Sequence, residues 1–292
     1  MTAACAEKGS SDARPLYVAT INPLGAILEE LVAGRGDVLV LLAPGASPHT
    51  YEPKPSDAVS TARARALFLV GIELDGWAAR LDARDRVELA LRMPPETLRS
   101  FPALCTSHGD HDHSHHEHDD ISFGLDLHFW SDPILVRGLV PLSVTELVRL
   151  DPEGAAVYTA NGEKFMQSLT ELDAEVAALL APVKGQSVIQ FHPSLNYLLA
   201  RYGLENAGAV EPAPGREASP RYLQQVVATL RSHRIRALFT EPQLSPRPAE
   251  AVAEASGLPL FQLDPLGGVP GRRTYAELIR YNAQTLREAL GE

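Results

Sequence analysis

The residues with most obvious chemistry lie in one run. His108-Gly109-Asp110-His111-Asp112-His113-Ser114-His115-His116-Glu117-His118-Asp119-Asp120 holds six of the ten histidines and five acids. Neutral imidazole is a zinc ligand, and near pH 7 most of these rings are neutral while the carboxylates are charged. The run has no side chain that could bury apolar surface, so a mobile loop is expected. Many ligands without fixed geometry would hold metal weakly and in several ways. A merely polar, solvated loop is the alternative reading. The internal position and the admixed acids argue against an affinity tag.

Outside that run the histidines are His49, His128, His192 and His233. His49 follows the apolar stretch Val38 to Leu42 in the turn Pro44-Gly-Ala-Ser-Pro-His49. His192 directly follows Val188 to Phe191, and Asp264 directly follows Leu260 to Leu263. In open α/β sheets, ligands bind beyond the carboxyl ends of the strands. Three ligand-type side chains therefore fall where a binding crevice is expected, and His128 is a fourth candidate, just ahead of another helix. Taken singly, a histidine at a strand end is more often a hydrogen-bonded structural residue. His233, inside the helical Arg231-Ser-His-Arg234, reads as a surface residue. Glu241 follows another strand; it could ligate a metal, cap a helix or orient a ligand from behind, and the last is preferred.

These residues need two scaffolds. The chain has 292 residues, enough for two domains with their own cores. Its 45% hydrophobic and 22% charged residues are those of a globular protein, and no apolar run approaches the roughly 20 residues of a membrane span. The net charge of −11 argues against a nucleic-acid footprint. Strands at Leu16 to Ile21, Val38 to Leu42 and Leu67 to Val70 alternate with helices near Ile27 to Val32 and Asp57 to Ala66. The second half repeats the grammar: strands at Val188 to Phe191, Ala237 to Thr240 and Leu260 to Leu263, helices at 193–202, 221–233 and 248–256. A last helix starts at Thr274, with Glu277 completing a capping box. The expected fold is α/β, two lobes each built on a mostly parallel sheet flanked by helices. Between them Tyr158, Phe165, Leu169, Leu172, Val176 and Leu179 form one stripe at helical spacing. A helix over 154–180, about 40 Å long at 1.5 Å per residue, would join the lobes. Gly162 should weaken it by about 1 kcal/mol. The expected boundaries are an N-terminal disordered segment at 1–14, a first lobe at 15–150 carrying the His-rich loop 107–120, the linking helix at 151–182 and a second lobe at 183–292.

Several segments then resemble one family. Pro48-His-Thr-Tyr-Glu-Pro-Lys-Pro-Ser-Asp57 is similar to the first ligand signature of the zinc and manganese solute receptors of ABC importers. Leu127-His-Phe-Trp-Ser-Asp-Pro133 resembles the second, and Ala181-Pro-Val-Lys-Gly with Phe191-His-Pro-Ser-Leu-Asn-Tyr-Leu and Arg201-Tyr-Gly-Leu204 the third. Phe239-Thr-Glu-Pro-Gln243 and Leu263-Asp-Pro-Leu-Gly267 resemble the last two. The matches run in order from about Val18 to the C-terminal helix. The resemblance implies a C-clamp of two lobes joined by one rigid helix, with His49 and His128 from the first lobe and His192 and Asp264 from the second as metal ligands. Manganese and iron members tend to carry a carboxylate where this chain has His192, so the zinc subgroup is implied. Three imidazoles and a carboxylate suit Zn2+ better than the harder manganese ion. A His-rich loop before the second ligand is also a habit of zinc members, so His108, His111, His113, His115, His116 and His118 are expected to act as an accessory capture site. Two departures stand out: Leu127 replaces the usual proline before His128, and Pro193, which has no N–H, follows His192.

The implied function is a periplasmic or cell-surface zinc receptor, monomeric, that delivers metal to a membrane permease and could receive it from a periplasmic zinc chaperone. The rivals are a zinc store or chaperone using mainly the loop, a manganese-type receptor of the same family, and a zinc hydrolase. No His-Glu-x-x-His helix accompanies the candidate ligands, and Asp264 would close the position a catalytic water needs, so an enzyme is not expected. The two cysteines, Cys5 and Cys105, form neither a disulfide framework nor a Cys-x-x-Cys metal pair. Two readings of Cys5 stand: a lipid-anchor site at a processed lipoprotein junction, or a free cysteine in a floppy cytoplasmic N-terminus.

Overall fold

The computed structural model describes residues 14–101, 124–211 and 218–291. The His-rich run, Cys5 and Cys105 lie outside them.

The first lobe starts with β1 (Leu16–Ala19), α1 (Asn22–Val32), β2 (Asp37–Val40), α2 (Pro55–Arg63), β3 (Ala66–Leu69) and β4 (Arg86–Glu88). The four strands form a parallel sheet in the order β2-β1-β3-β4. Pro23 at the start of α1 fixes a helical φ where an N–H has no partner anyway. All four β3 residues are buried, as expected of an inner parallel strand. A short antiparallel pair, β5 (Arg99–Ser100) and β6 (Leu125–Asp126), precedes α3 (Pro133–Leu150). Asp132 caps α3 by accepting the Ile134 N–H at 2.7 Å.

The linking helix α4 spans Ala155–Leu180, 26 residues. It buries Tyr158, Gly162, Phe165, Leu169, Leu172, Val176 and Leu180. Each large apolar side chain in this stripe contributes about 1.5–3 kcal/mol by leaving water. The stripe packs against α1 and α3 of the first lobe and α8 of the second (Tyr275–Leu290). One cluster of buried residues therefore runs unbroken from Tyr17 and Leu31 through Phe165 to Leu286. Gly162 has a role the periodicity does not reveal. A Cβ there would lie 2.8 Å from Val144 Cγ2 on α3, so the glycine lets two helices approach closely. What reads as a weak point in the isolated helix is a packing requirement.

The second lobe comprises β7 (Ser187–Gln190), α5 (Asn196–Arg201), β8 (Glu205–Ala209), α6 (Pro220–Ser232), β9 (Leu238–Thr240), α7 (Arg247–Ser256), β10 (Leu260–Gln262) and α8. The pairs β7–β8 and β9–β10 are both parallel, with β7 against β9. Thr274 caps α8 by accepting the Glu277 N–H at 3.2 Å, and Glu277 accepts the Thr274 N–H at 3.1 Å. That reciprocal pair is the expected capping box. Among the described residues, no helix is long and apolar enough to cross a membrane.

Candidate metal centre

His49 sits in the loop after β2. The Trp77 indole N–H fixes that loop by donating to the Pro48 carbonyl at 2.9 Å. Tyr51, packed edge-on against Trp77, donates to Asp57 Oδ2 at 2.8 Å and ties the loop to α2. His128 follows β6 and is buried, and His192 follows β7 and is buried. The three rings meet between the lobes. Their centroids are 5.7 Å apart for His49 and His128, and 5.2 Å for each other pair. One ligand nitrogen from each lies within 4.8 Å of the others. Around a tetrahedral zinc with bonds of 2.0–2.1 Å, ligand nitrogens stand about 3.4 Å apart. A contraction of at most about 1.4 Å converts this cluster into three corners of such a site.

His49 as a residue keeps exposed surface, but its ring is turned against two other imidazoles. Desolvation, and then the charge His128 would carry, push its pKa down to about 3. At neutral pH its lone pair is free of a proton. The His128 ring Nδ1 lies 2.8 Å from Asp126 Oδ1, an oxygen that also accepts the His128 backbone N–H at 3.0 Å. A carboxylate accepts, so Nδ1 carries the hydrogen and Nε2 is left as the ligand atom.

Glu241, just past β9, is buried beside this cluster. Ser194 Oγ donates to its Oε1 at 2.7 Å, and the His192 backbone N–H also bonds it. Desolvation outweighs both bonds and pushes its pKa up to about 8. Its carboxyl thus holds the loop that carries His192.

Asp264, just past β10, is buried but committed elsewhere. Its Oδ1 accepts the Leu266 and Gly267 backbone N–H groups at 3.0 and 2.9 Å and Gln243 Nε2 at 2.8 Å. Its Oδ2 forms an ion pair with Arg272 at 3.0 Å. Of the four sequence candidates, the three histidines therefore converge, while the Asp264 carboxylate faces Arg272 and the loop backbone. His233 is an exposed residue at the end of α6, its Nδ1 near Ser232 Oγ and the Thr229 carbonyl. Asp126, Gln243 and Arg272 were not singled out from the sequence. An acid two positions before a candidate histidine is the one local signal that could have flagged Asp126.

Known proteins match the chain in sequence and in fold. The chain is 31% identical over 305 residues to the high-affinity zinc uptake system protein ZnuA of Paracoccus denitrificans, covering 95% of this chain and 92% of that one. It is 26% identical to the manganese-binding lipoprotein MntA of Halalkalibacterium halodurans, covering 97% and 91%. A crystal structure of ZnuA superposes with a TM-score of 0.80 at 26% identity, covering 95% of this chain and all of that one. Residues 18–289 match the family profile of ZnuA, the periplasmic component A of the zinc-uptake complex, which is named for metal uptake and not for a catalytic activity. A two-lobed α/β clamp with imidazoles converging between its lobes is thus a member of the periplasmic zinc-uptake component A family.

Proposed function

We propose that this protein captures Zn2+ with high affinity in the cleft and delivers it to the permease of an ABC importer. The observation that carries the reading is the convergence of three imidazole nitrogens from both lobes within 4.8 Å. His49, His128 and His192 supply three neutral nitrogen ligands, a set that favours zinc over manganese. Asp264 becomes the fourth ligand when Arg272 releases it, and Glu241 steadies the His192 loop from behind. The His-rich segment 107–120 collects zinc loosely and passes it on. The working units are a first lobe at 15–150, the linking helix at 151–182 and a second lobe at 183–292. The shared core along α4 restricts hinge opening, so metal enters and leaves by small lobe shifts and loop movement. The protein acts as a monomer, held near the membrane by a lipid at Cys5 and supplied in part by a periplasmic zinc chaperone.

The test is calorimetric titration of the metal-stripped protein with zinc, beside a variant lacking His108 to Asp120 and beside His192→Ala. The expected result is one tight site that survives the deletion and is lost in His192→Ala. Tight binding that vanished with the loop would replace the receptor by a store.

A further inference from the structure

The buried carboxylate of Asp126 does more than face His128. Its Oδ2 accepts from Asn196 Nδ2 at 2.8 Å, and Asn196 belongs to the other lobe, at the start of α5. Asn196 Oδ1 in turn accepts from Gln190 Nε2 at 2.7 Å and from Asn206 Nδ2 at 2.7 Å. Gln190 Oε1 accepts the Leu195 backbone N–H at 2.9 Å. Asn196 Nδ2 also donates to the carbonyl of Pro193, the residue after His192. Asp126, Gln190 and Asn196 are all buried.

An amide can point either way, and its direction is read from its partners. Here one group settles all of them. Asp126 offers only acceptors, so Asn196 must turn its NH2 toward it and its oxygen toward Gln190. Gln190 must then donate to Asn196 and present its oxygen to Leu195 N–H. The relay begins on the ring of His128 in the first lobe. It ends on the backbone of the second-lobe loop that carries His192, gripped at Pro193 and Leu195. Buried networks of this kind are costly when any member is left unsatisfied.

We infer that Asp126 is the positioning residue that couples the two lobes' ligand loops, holding His128 on one side and setting the His192 loop through Asn196 on the other. This rests on the zinc-cleft reading above. Asp126 touches no metal itself; it acts through His128 and Asn196.

Asp126→Asn cannot satisfy both arms. With its oxygen toward His128, its NH2 meets the NH2 of Asn196, and reversing Asn196 creates the same conflict at Gln190. Asn196→Asp sets two carboxyl groups against each other. The paired exchange, Asp126→Asn with Asn196→Asp, restores complementarity between positions 126, 196, Gln190 and Asn206 with the donor and acceptor traded, but leaves the Pro193 carbonyl without its donor and facing a carboxylate oxygen. The experiment measures zinc Kd and metal-free Tm for the full chain carrying each single variant, the exchange, and His192→Ala. Each single variant should weaken zinc binding about tenfold or more, the range seen when a partner behind a metal ligand is removed. The exchange should recover part of the loss, because it restores the bond between positions 126 and 196 but not the one to Pro193. Asn196→Ala, which leaves the Asp126–His128 bond in place but removes the cross-lobe bond together with those to Gln190, Asn206 and Pro193, should also weaken binding and keeps the test open if an acidic pair fails to fold. Single variants that lower Tm yet bind zinc like the parent would overturn the proposal, as would an exchange with no recovery. If the parent and His192→Ala bind zinc alike, the cleft reading itself fails, a result separate from either.

Discussion

The indole N–H of Trp130 donates to the carbonyl of Pro265 across the lobe boundary at 2.8 Å. Trp130 lies two residues after His128, and Pro265 immediately follows Asp264. The Tyr275 hydroxyl donates back to the Trp130 carbonyl at 2.8 Å. The segment that carries one candidate ligand is thereby pinned to the loop that carries another, and the Trp130 ring also packs 5.2 Å from that of His128. Trp130→Phe keeps an aromatic ring but removes the donor and leaves the Pro265 carbonyl buried without it. The expected cost is about 1–3 kcal/mol of unfolding free energy. Zinc should also escape to a chelator faster than from the parent. Denaturant unfolding and stopped-flow release check both. Unchanged release would show that this cross-lobe bond does not hold the cleft closed.

Gly162 offers a test in which sequence and structure point in opposite directions. In a solvent-exposed helix, alanine would be favoured over glycine by about 1 kcal/mol. Against α3, the added methyl would meet Val144 at 2.8 Å. Gly162→Ala should therefore lower stability by about 1–3 kcal/mol, the range for overpacking. Thermal unfolding of the metal-free protein decides the sign, and a gain would mean that α3 yields without cost.

The same contrast shows what the sequence made legible. Periodicity located α4 to within a residue, because its apolar stripe is long and unbroken. The Thr274 and Glu277 pair marked the start of α8, because a capping box is a local device. Strand ends placed His49, His192 and Asp264 near a common crevice, because the ends of parallel strands open on one side of the sheet. His128 follows an antiparallel pair and is marked instead by its place ahead of a helix and by the family resemblance. Short elements such as β4, with three residues, and the two-residue β5 and β6 carry too little pattern to be seen. The turning of Asp264 toward Arg272 was also invisible. It depends on a side chain eight positions away, brought back by the loop that Gly267 and Gly268 shape at φ of 67° and 85°. The Asp126 relay joins residues 70 apart in the chain, which no local reading connects.

Asp151 makes stability depend on acidity in a defined direction. It follows α3 and receives Arg35 Nε at 2.7 Å and the Tyr158 hydroxyl at 2.6 Å, and Tyr158 also meets the Tyr17 hydroxyl at 3.0 Å. The Arg35 guanidinium is the main cause of its lowered pKa; desolvation opposes the shift, and Tyr158 adds to it. A carboxyl with a depressed folded pKa gives stability that is complete above its unfolded pKa of about 3.9. That stability is lost as pH falls through the lower folded value. The parent should therefore exceed Asp151→Asn in stability by a constant margin at neutral and mildly acidic pH. The margin should shrink below about pH 4. Denaturant unfolding across that range checks it; a margin that grew on acidification would contradict the sign.

Arg272 should affect stability and affinity in opposite ways. In the metal-free protein it neutralises the buried Asp264 carboxylate and lies over the Tyr281 ring at 4.3 Å. Replacing it by glutamine removes the charge partner but leaves Asp264 its three N–H donors. The metal-free variant should therefore lose about 1–3 kcal/mol, the cost of an imperfectly satisfied buried group. If Asp264 must leave Arg272 to ligate zinc, the variant no longer breaks that ion pair on binding. Each 1.4 kcal/mol so released strengthens binding about tenfold. Arg272→Gln should thus unfold earlier without metal, bind zinc more tightly, and show a larger rise in Tm on zinc addition than the parent. Equal zinc affinities would mean that Asp264 keeps its present partners when metal is bound. The fourth position would then remain open, leaving the three histidines to hold zinc.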